Sequence, residues 1–219
     1  MIKENIIKIL NELPQGVQLV GAAKTRTREE LKAAIDAGLV ILGENYVQEA
    51  EKAFEAIGRV AKWHLIGHLQ SNKAKKAVTI FDMIETVDSV KLAKAVDREC
   101  GKIGKVMEIL IEINSGEEEQ KAGVMPDKAV SLVREIAGLG NIRVMGLMTM
   151  GPFIEDLELI RPCFQRTREL SEKIRGLNIS GIEMKYLSMG MSDSYRIAIE
   201  EGANLVRIGT GIFGPRQHR

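Results

Sequence analysis

The chain has 219 residues, with 31 Lys and Arg against 30 Asp and Glu, and its formal net charge at pH 7 is +1. This balance lacks the positive charge on which nucleic-acid binding depends, and a hydrophobic content of 45% excludes a disordered chain. No apolar run approaches the roughly 18 residues of a membrane span, and two isolated cysteines fit a reducing compartment, so we expect a cytoplasmic protein without nucleic-acid or membrane partners.

Short apolar, β-branched runs alternate with segments of helical periodicity from one end of the chain to the other. The first element is an amphipathic helix, Ile2–Leu13. The runs that predict strands are, in chain order, Gln18–Ala22, Leu39–Leu42, Trp63–Ile66, Met83–Thr86, Val106–Ile113, Ile142–Leu147, Lys185–Ser188 and Asn204–Ile208. The helical segments between them are Arg28–Ala37, Tyr46–Ile57, Asn72–Val78, Val90–Cys100, Asp127–Ala137, Leu157–Ile174 and Asp193–Glu200.

This alternation predicts parallel strands joined by helical crossovers. About eight strands occur in roughly 200 residues, with no linker and no break in composition, and that number favours a (β/α)8 TIM barrel over a doubly wound sheet. We therefore expect one domain, residues 1–219, in which the extra N-terminal helix covers the bottom of the barrel.

In barrels of this kind the functional residues lie where the strands end. The residues found there are Lys24, Asn45, His64, Glu85, Asn114, Met148–Met150, Ser188–Ser192 and Gly209–Gly211. The last two groups are rich in small residues that offer hydroxyls and backbone N–H groups, and they predict a phosphate site. The alternative is that they are turn and cap residues of tight connections.

Three individual side chains allow a more specific interpretation. Lys24 follows the first strand among small residues and predicts imine formation with an aldehyde cofactor, the alternative being a solvated loop lysine. Arg207 interrupts an apolar strand, so it either points toward a ligand or pairs with a carboxylate of the seventh or eighth unit. His64 and His68 have no third ligand for zinc, and we expect His64 to line the pocket.

Seven motifs in this order resemble the pyridoxal 5′-phosphate (PLP) homeostasis protein family, whose fold is similar to the N-terminal barrel of alanine racemase. They are GAAKTRT, LGENYVQE, WHLIGHLQSNK, NSGEEEQKAG, GLMTMGP, LSMGMSDS and VRIGTGIFG. The resemblance implies that Lys24 holds PLP as a Schiff base and that Asn45 lies beside the ring. It also implies that Ser188, Gly209 and Thr210 bind the phosphate and that Arg207 faces the pyridine nitrogen.

The same resemblance implies a role in vitamin B6 and amino-acid homeostasis without demonstrated catalytic activity. A permanent cation opposite the pyridine nitrogen weakens the ring as an electron sink, which favours a PLP carrier. We expect a monomer that passes PLP to apo forms of PLP-dependent enzymes. The alternatives are a PLP-dependent amino-acid racemase and, more distantly, a barrel that acts on a sugar or triose phosphate without PLP.

Overall fold

The computed structural model describes residues 1–152 and 156–215, and its strands form a closed parallel barrel in chain order. The strands are β1 Gln18–Ala22, β2 Ile41–Glu44, β3 Lys62–Leu65, β4 Met83–Val87, β5 Met107–Glu112, β6 Ile142–Met148, β7 Ile182–Ser188 and β8 Leu205–Ile208. β8 closes the barrel by pairing with β1, where Val20 lies opposite Arg207. The predicted eight-stranded (β/α)8 barrel is confirmed.

Helices lie between consecutive strands, as the alternation predicts, and one further helix precedes β1 and another follows β8 in the described residues. They are α1 Ile2–Glu12, α2 Arg28–Asp36, α3 Val47–Ile57, α4 Ala74–Ile80, α5 Val90–Gly101, α6 Pro126–Ile136, α7 Arg161–Gly176, α8 Tyr195–Glu200 and α9 Thr210–Phe213. Single 3-10 turns, Ser71–Lys73 and Leu157–Ile160, precede α4 and α7. Among the residues that the structure describes, no helix is both long and apolar enough to cross a bilayer.

Two apolar cores lie on the two faces of the barrel wall, because successive side chains of a strand point to opposite faces. The core inside the barrel contains Val20, Ile41, Ile66, Met83, Leu110, Met145, Met148 and Leu205. A larger core, between the strands and the helices, includes Leu42, Trp63 and Ile109. The polar side chains inside the barrel are concentrated toward the carboxyl-terminal ends of the strands, here called the upper end.

The N-terminal helix does not cover the barrel bottom, so that expectation is wrong. α1 packs against α2 and α9, and the Asn5 side chain donates a hydrogen bond to the backbone oxygen of Ile212. The helix after β8 has only four residues, so α1 fills the gap that it leaves in the outer ring. At the lower end a cavity of about 620 Å³ opens among strand starts such as Gln18 and Lys62.

Candidate functional site

Lys24 lies in a tight turn at the upper end of β1. The N–H of Ala23 donates to the carbonyl of Gly43 on β2 at 2.8 Å, and the N–H of Arg26 closes the turn on the Ala23 carbonyl at 3.1 Å. Thr25 has a φ of 63°, which is uncommon for a β-branched residue. Lys24 is half-buried. The lysine therefore extends from a fixed turn rather than from a solvated loop.

The Arg26 side chain ties this turn to the segment that follows β8. Its guanidinium donates to the carbonyl of Gly214 at 2.8 Å and lies 5.2 Å from the centre of the Phe213 ring. Only 9% of the Arg26 side chain is exposed, and it also pairs with Glu30 at 3.4 Å. The first and last loops of the barrel are thus held together beside Lys24.

Asn45 follows β2, and its position depends on a glycine in the next loop. A Cβ on Gly67 would lie 2.3 Å from the backbone oxygen of Asn45, so only glycine allows the two loops to approach this closely. The Thr86 hydroxyl donates to the Gly67 carbonyl at 2.8 Å and fixes that loop from β4. Asn45 is thereby held at the upper end.

Donor groups converge on one point between the loops after β7 and β8. The Ser192 hydroxyl oxygen accepts hydrogen bonds from the backbone N–H of Gly209 at 3.3 Å and of Gly211 at 3.2 Å. The Thr210 hydroxyl donates to the same oxygen at 2.9 Å. Two backbone donors and two hydroxyls around one point are suited to a phosphate group, because phosphate oxygens accept several hydrogen bonds at once.

Four of the strands contribute polar side chains that cross the interior of the barrel in one chain of hydrogen bonds. His64 Nδ1 lies 2.7 Å from Glu85 Oε1, and the Ser188 hydroxyl donates to Glu85 Oε2 at 2.6 Å. Arg207 donates to the Ser188 hydroxyl at 2.5 Å and to the carbonyl of Thr149 at 2.8 Å. We call His64, Glu85, Ser188 and Arg207 the polar belt.

Charges in and beside the polar belt compensate one another. Burial pushes the pKa of Glu85 upward, but the hydrogen bond and charge of His64, together with Arg207 and Ser188, outweigh it and hold that pKa below its ordinary value. Burial lowers the pKa of Arg207, while Glu85 and Glu112 oppose this effect. The interior therefore holds an arginine close to two carboxylates that come from β4 and β5.

Of these two carboxylates, that of Glu112 faces a cavity. It lines a cavity of about 320 Å³ between the loops after β5 and β6, together with Ser115 and Thr149. Its Oε2 is buried without a hydrogen-bond partner. Burial and the charge of Asp88 raise the pKa of Glu112 to about 7, against the effect of Arg207.

The predicted site residues fall into two groups. Lys24, Asn45 and Gly209 lie in the loops at the upper end, where Thr210 begins α9. His64, Ser188 and Arg207 lie in the polar belt, so Ser188, whose hydroxyl is engaged there, is separated in role from Gly209 and Thr210. His64 and His68 diverge, since His68 is exposed and lies 3.8 Å from Asp88.

Sequence reasoning places Glu85 among the residues at the strand ends, but it does not associate Glu85 with Arg207 and it misses Glu112. Their signal is the one that singled out Arg207, a charged residue within an apolar strand, and it is present in the runs MIETV and ILIEI. Arg207 faces Glu85 and Glu112 of the fourth and fifth strands, not a carboxylate of the seventh or eighth unit. Ser192, at the point where the donors converge, belongs to the group Ser188–Ser192 that predicts a phosphate site, but the sequence does not distinguish it from the other residues of that group.

Comparisons with known proteins match almost the whole chain. A family model described as "Alanine racemase, N-terminal domain" matches residues 1–217. The chain is 40% identical over 203 residues to the pyridoxal phosphate homeostasis protein of Aquifex aeolicus, covering 92% of this chain and 88% of the relative. It resembles PipY of Synechococcus elongatus, solved with PLP bound, with a TM-score of 0.91 and 31% identity over 98% of this chain and 100% of PipY. An alanine racemase of Clostridium difficile, 16% identical, shares the fold with a TM-score of 0.85 over 99% of this chain and 57% of the racemase.

Proposed function

The chain belongs to the pyridoxal phosphate homeostasis protein family, and we propose that it carries out this role by holding PLP at the upper end of its barrel as a Schiff base on Lys24. As a member of the family it binds PLP and takes part in PLP homeostasis. When bound, PLP supplies an aldehyde, a phosphate dianion and an electron-withdrawing pyridine ring. The proposed contacts are those of Lys24, Asn45, His64, Ser188, Arg207, Gly209 and Thr210.

The single observation that carries this proposal is the convergence of donors on Ser192 Oγ. The hydroxyl of Thr210 and the N–H groups of Gly209 and Gly211 already point at one oxygen atom. We propose that a phosphate oxygen takes up these donors and that Ser192 turns its own hydroxyl toward the phosphate. Ser188 can join them only by giving up a hydrogen bond in the polar belt.

The position of Lys24 supports its role as the aldehyde partner. The turn that carries it is tied through Arg26 to the segment directly after the phosphate-binding loop. The two groups that a phosphorylated aldehyde requires, an amine and a phosphate site, therefore belong to one connected structure. Asn45 follows β2, which pairs with β1, and this neighbouring position supports our proposal that Asn45 lies beside the ring of the ligand.

Arg207 supports a carrier rather than an enzyme. Arg207 is 3% exposed and faces Glu85 and Glu112, and an arginine side chain remains protonated in proteins. A cation at the pyridine nitrogen discourages protonation of the ring, which weakens the stabilisation of a carbanion. Two of the three tyrosines are also committed elsewhere, since Tyr195 donates to Glu12 at 2.8 Å and Tyr186 packs on the inner core.

We further propose that residues 1–219 form one domain that acts as a monomer in the cytoplasm and delivers PLP to apo forms of PLP-dependent enzymes. The barrel closes between β1 and β8, and α1 packs on its outer ring, which supports the single domain. Lys24 is only half-buried and Thr210 is exposed at the upper end, which supports release of the ligand.

A transfer assay tests the carrier function. The chain loaded with PLP and freed of excess ligand should reactivate an apo PLP-dependent enzyme, whereas Lys24→Ala treated in the same way should not. Lys121→Ala, which changes a lysine in the loop after β5 at the same end of the barrel, serves as the matched control. Chiral turnover of L-alanine or L-serine clearly above a free-PLP control, and lost in Lys24→Ala, would replace the carrier by a racemase.

A further inference from the structure

A third cavity lies outside the barrel wall, behind the Lys24 turn. It occupies about 920 Å³ between α2 and α3 and is lined by Leu31 and Ala53 of these helices. Glu44, at the end of β2, also lines it. Because Ile41 and Gly43 point into the barrel, Glu44 points outward, into a layer that apolar residues such as Leu42 otherwise fill.

Glu44 is an unusual residue for this layer. It is 2% exposed, and its Oε2 has no hydrogen-bond partner. A buried carboxylate oxygen without a partner is unfavourable unless a ligand or a proton compensates it. The cost of its desolvation therefore points to a group that binds here.

Glu49, in the first turn of α3, brings a second carboxylate to the same cavity. Its Oε2 is also buried without a hydrogen-bond partner. Burial and the charge of Glu49 together raise the pKa of Glu44 to about 8, although the N–H of Asn45 and the charge of Lys24 oppose them. Two such oxygens on one cavity wall form a floor at which a cation with N–H donors can take the place of the proton on Glu44.

The rim of the cavity carries the opposite charge. Arg28 and Lys52 both line it, and both are exposed. Arg26 lines it too, but its guanidinium is engaged with Gly214 and Glu30. The cavity therefore joins an acidic floor to a basic rim.

We propose that this cavity binds a small zwitterion of the amino-acid class, with its ammonium group on Glu44 and Glu49 and its carboxylate between Arg28 and Lys52. This site is separate from the PLP site and does not depend on PLP being bound there. A metal ion fits the floor less well, because no three His, Cys, Asp or Glu side chains cluster as ligands anywhere in residues 1–152 and 156–215.

An NMR titration of the ¹⁵N-labelled full-length chain tests the proposal. The probe is N,N-dimethylglycine, which has a carboxylate and a protonated amine but, as a tertiary amine, cannot form an imine with PLP. It should produce saturable shifts in the amide resonances of α2 and α3. Acetate lacks the ammonium group and glycine betaine lacks the N–H, so both should bind at least about ten-fold more weakly.

Substitutions test which residues contact the bound N,N-dimethylglycine. Glu44→Gln and Glu49→Gln should each weaken the binding of N,N-dimethylglycine about ten-fold or more, and Lys52→Ala should weaken it by a smaller factor. Glu55→Gln, an exposed glutamate of α3, is the matched control and should bind normally. Two glutamine variants keep the test decisive if one fails to fold, which circular dichroism would reveal.

Three results would overturn the proposal. They are the absence of saturable shifts, equal binding of glycine betaine and N,N-dimethylglycine, and shifts in α2 and α3 with Mg²⁺ but not with the zwitterion. Loss of PLP binding alone would leave it standing, so its failure and the failure of the PLP assignment are distinguishable.

Discussion

Replacing Glu44 by glutamine removes a charge from the layer between barrel and helices while it keeps the shape of the side chain. Burial and Glu49 raise the pKa of Glu44 from 4.5 to about 8. Between these values the folded chain holds a proton that the unfolded chain has released. The wild-type chain therefore loses stability as the pH rises through this interval, and the loss is complete above the folded pKa.

The size of this loss of stability follows from the shift in the pKa of Glu44. At about 1.4 kcal/mol per pKa unit, a change from 4.5 to about 8 corresponds to roughly 4–5 kcal/mol of unfolding free energy. Glutamine does not ionise, so the variant escapes this loss. We expect Glu44→Gln to match the wild type near pH 5 and to be more stable by roughly 4 kcal/mol near pH 9.

Urea unfolding followed by circular dichroism at about pH 5, 7 and 9 measures this difference without added ligand. Glu55→Gln, an exposed change on α3, should follow the wild type at every pH. The titration of Glu112 occurs in all three proteins and cancels in the comparison. A difference between wild type and Glu44→Gln that does not change with pH would refute the reasoning.

Three further substitutions probe the belt, the phosphate loop and a close backbone contact. Glu85→Gln leaves Arg207 buried without this ionised partner and should lower the unfolding free energy by about 3–5 kcal/mol in urea; a loss below about 1 kcal/mol would contradict the role of the belt. Thr210→Ala should lower PLP affinity about ten-fold in an absorbance titration and leave pyridoxal, which lacks the phosphate, almost unchanged; equal losses would contradict the phosphate site. Gly67→Ala places a methyl group 2.3 Å from the Asn45 carbonyl and should cost about 1–3 kcal/mol in urea, whereas Gly138→Ala, with no atom within 4 Å, should not; equal stability would contradict the close approach.

The barrel was predictable because its signal is repeated. Eight apolar runs and the helical segments between them establish the strand order without knowledge of any single contact. The sequence predicts the boundaries of the individual strands less well. The predicted Leu39–Leu42 is found at Ile41–Glu44, since pairing with β1 and β3, rather than apolar character, decides where β2 lies.

The packing of α1 could not be predicted from its periodicity. That pattern predicts a helix with one apolar face, and Ile6 and Ile9 do form such a face. Which neighbour covers the face depends on α9, and α9 is only one turn long because Gly214 ends it. The location of α1 is therefore a property of the closed barrel rather than of its own sequence.

Individual site residues were predictable from the sequence when their residue type alone indicates the chemistry. Contacts between residues on opposite sides of the barrel were not predictable. Lys24 and Arg207 stand out in their local sequences as a lysine among small residues and a charge in a strand. The contact of Arg207 with Ser188, and its proximity to Glu85, depend on which inner faces oppose each other. Ser192 was less visible still, because a serine near a helix start is common in sequences.

Borohydride reduction followed by peptide mass mapping tests the central claim most directly. The full-length chain loaded with PLP should yield a phosphopyridoxyl adduct on the peptide that contains Lys24, and Lys24→Ala should yield none. Lys121→Ala, the matched change in the loop after β5, should retain the adduct on Lys24. An adduct on another lysine in the wild-type chain, or one that persists unchanged in Lys24→Ala, would contradict the assignment of Lys24 as the residue that holds PLP.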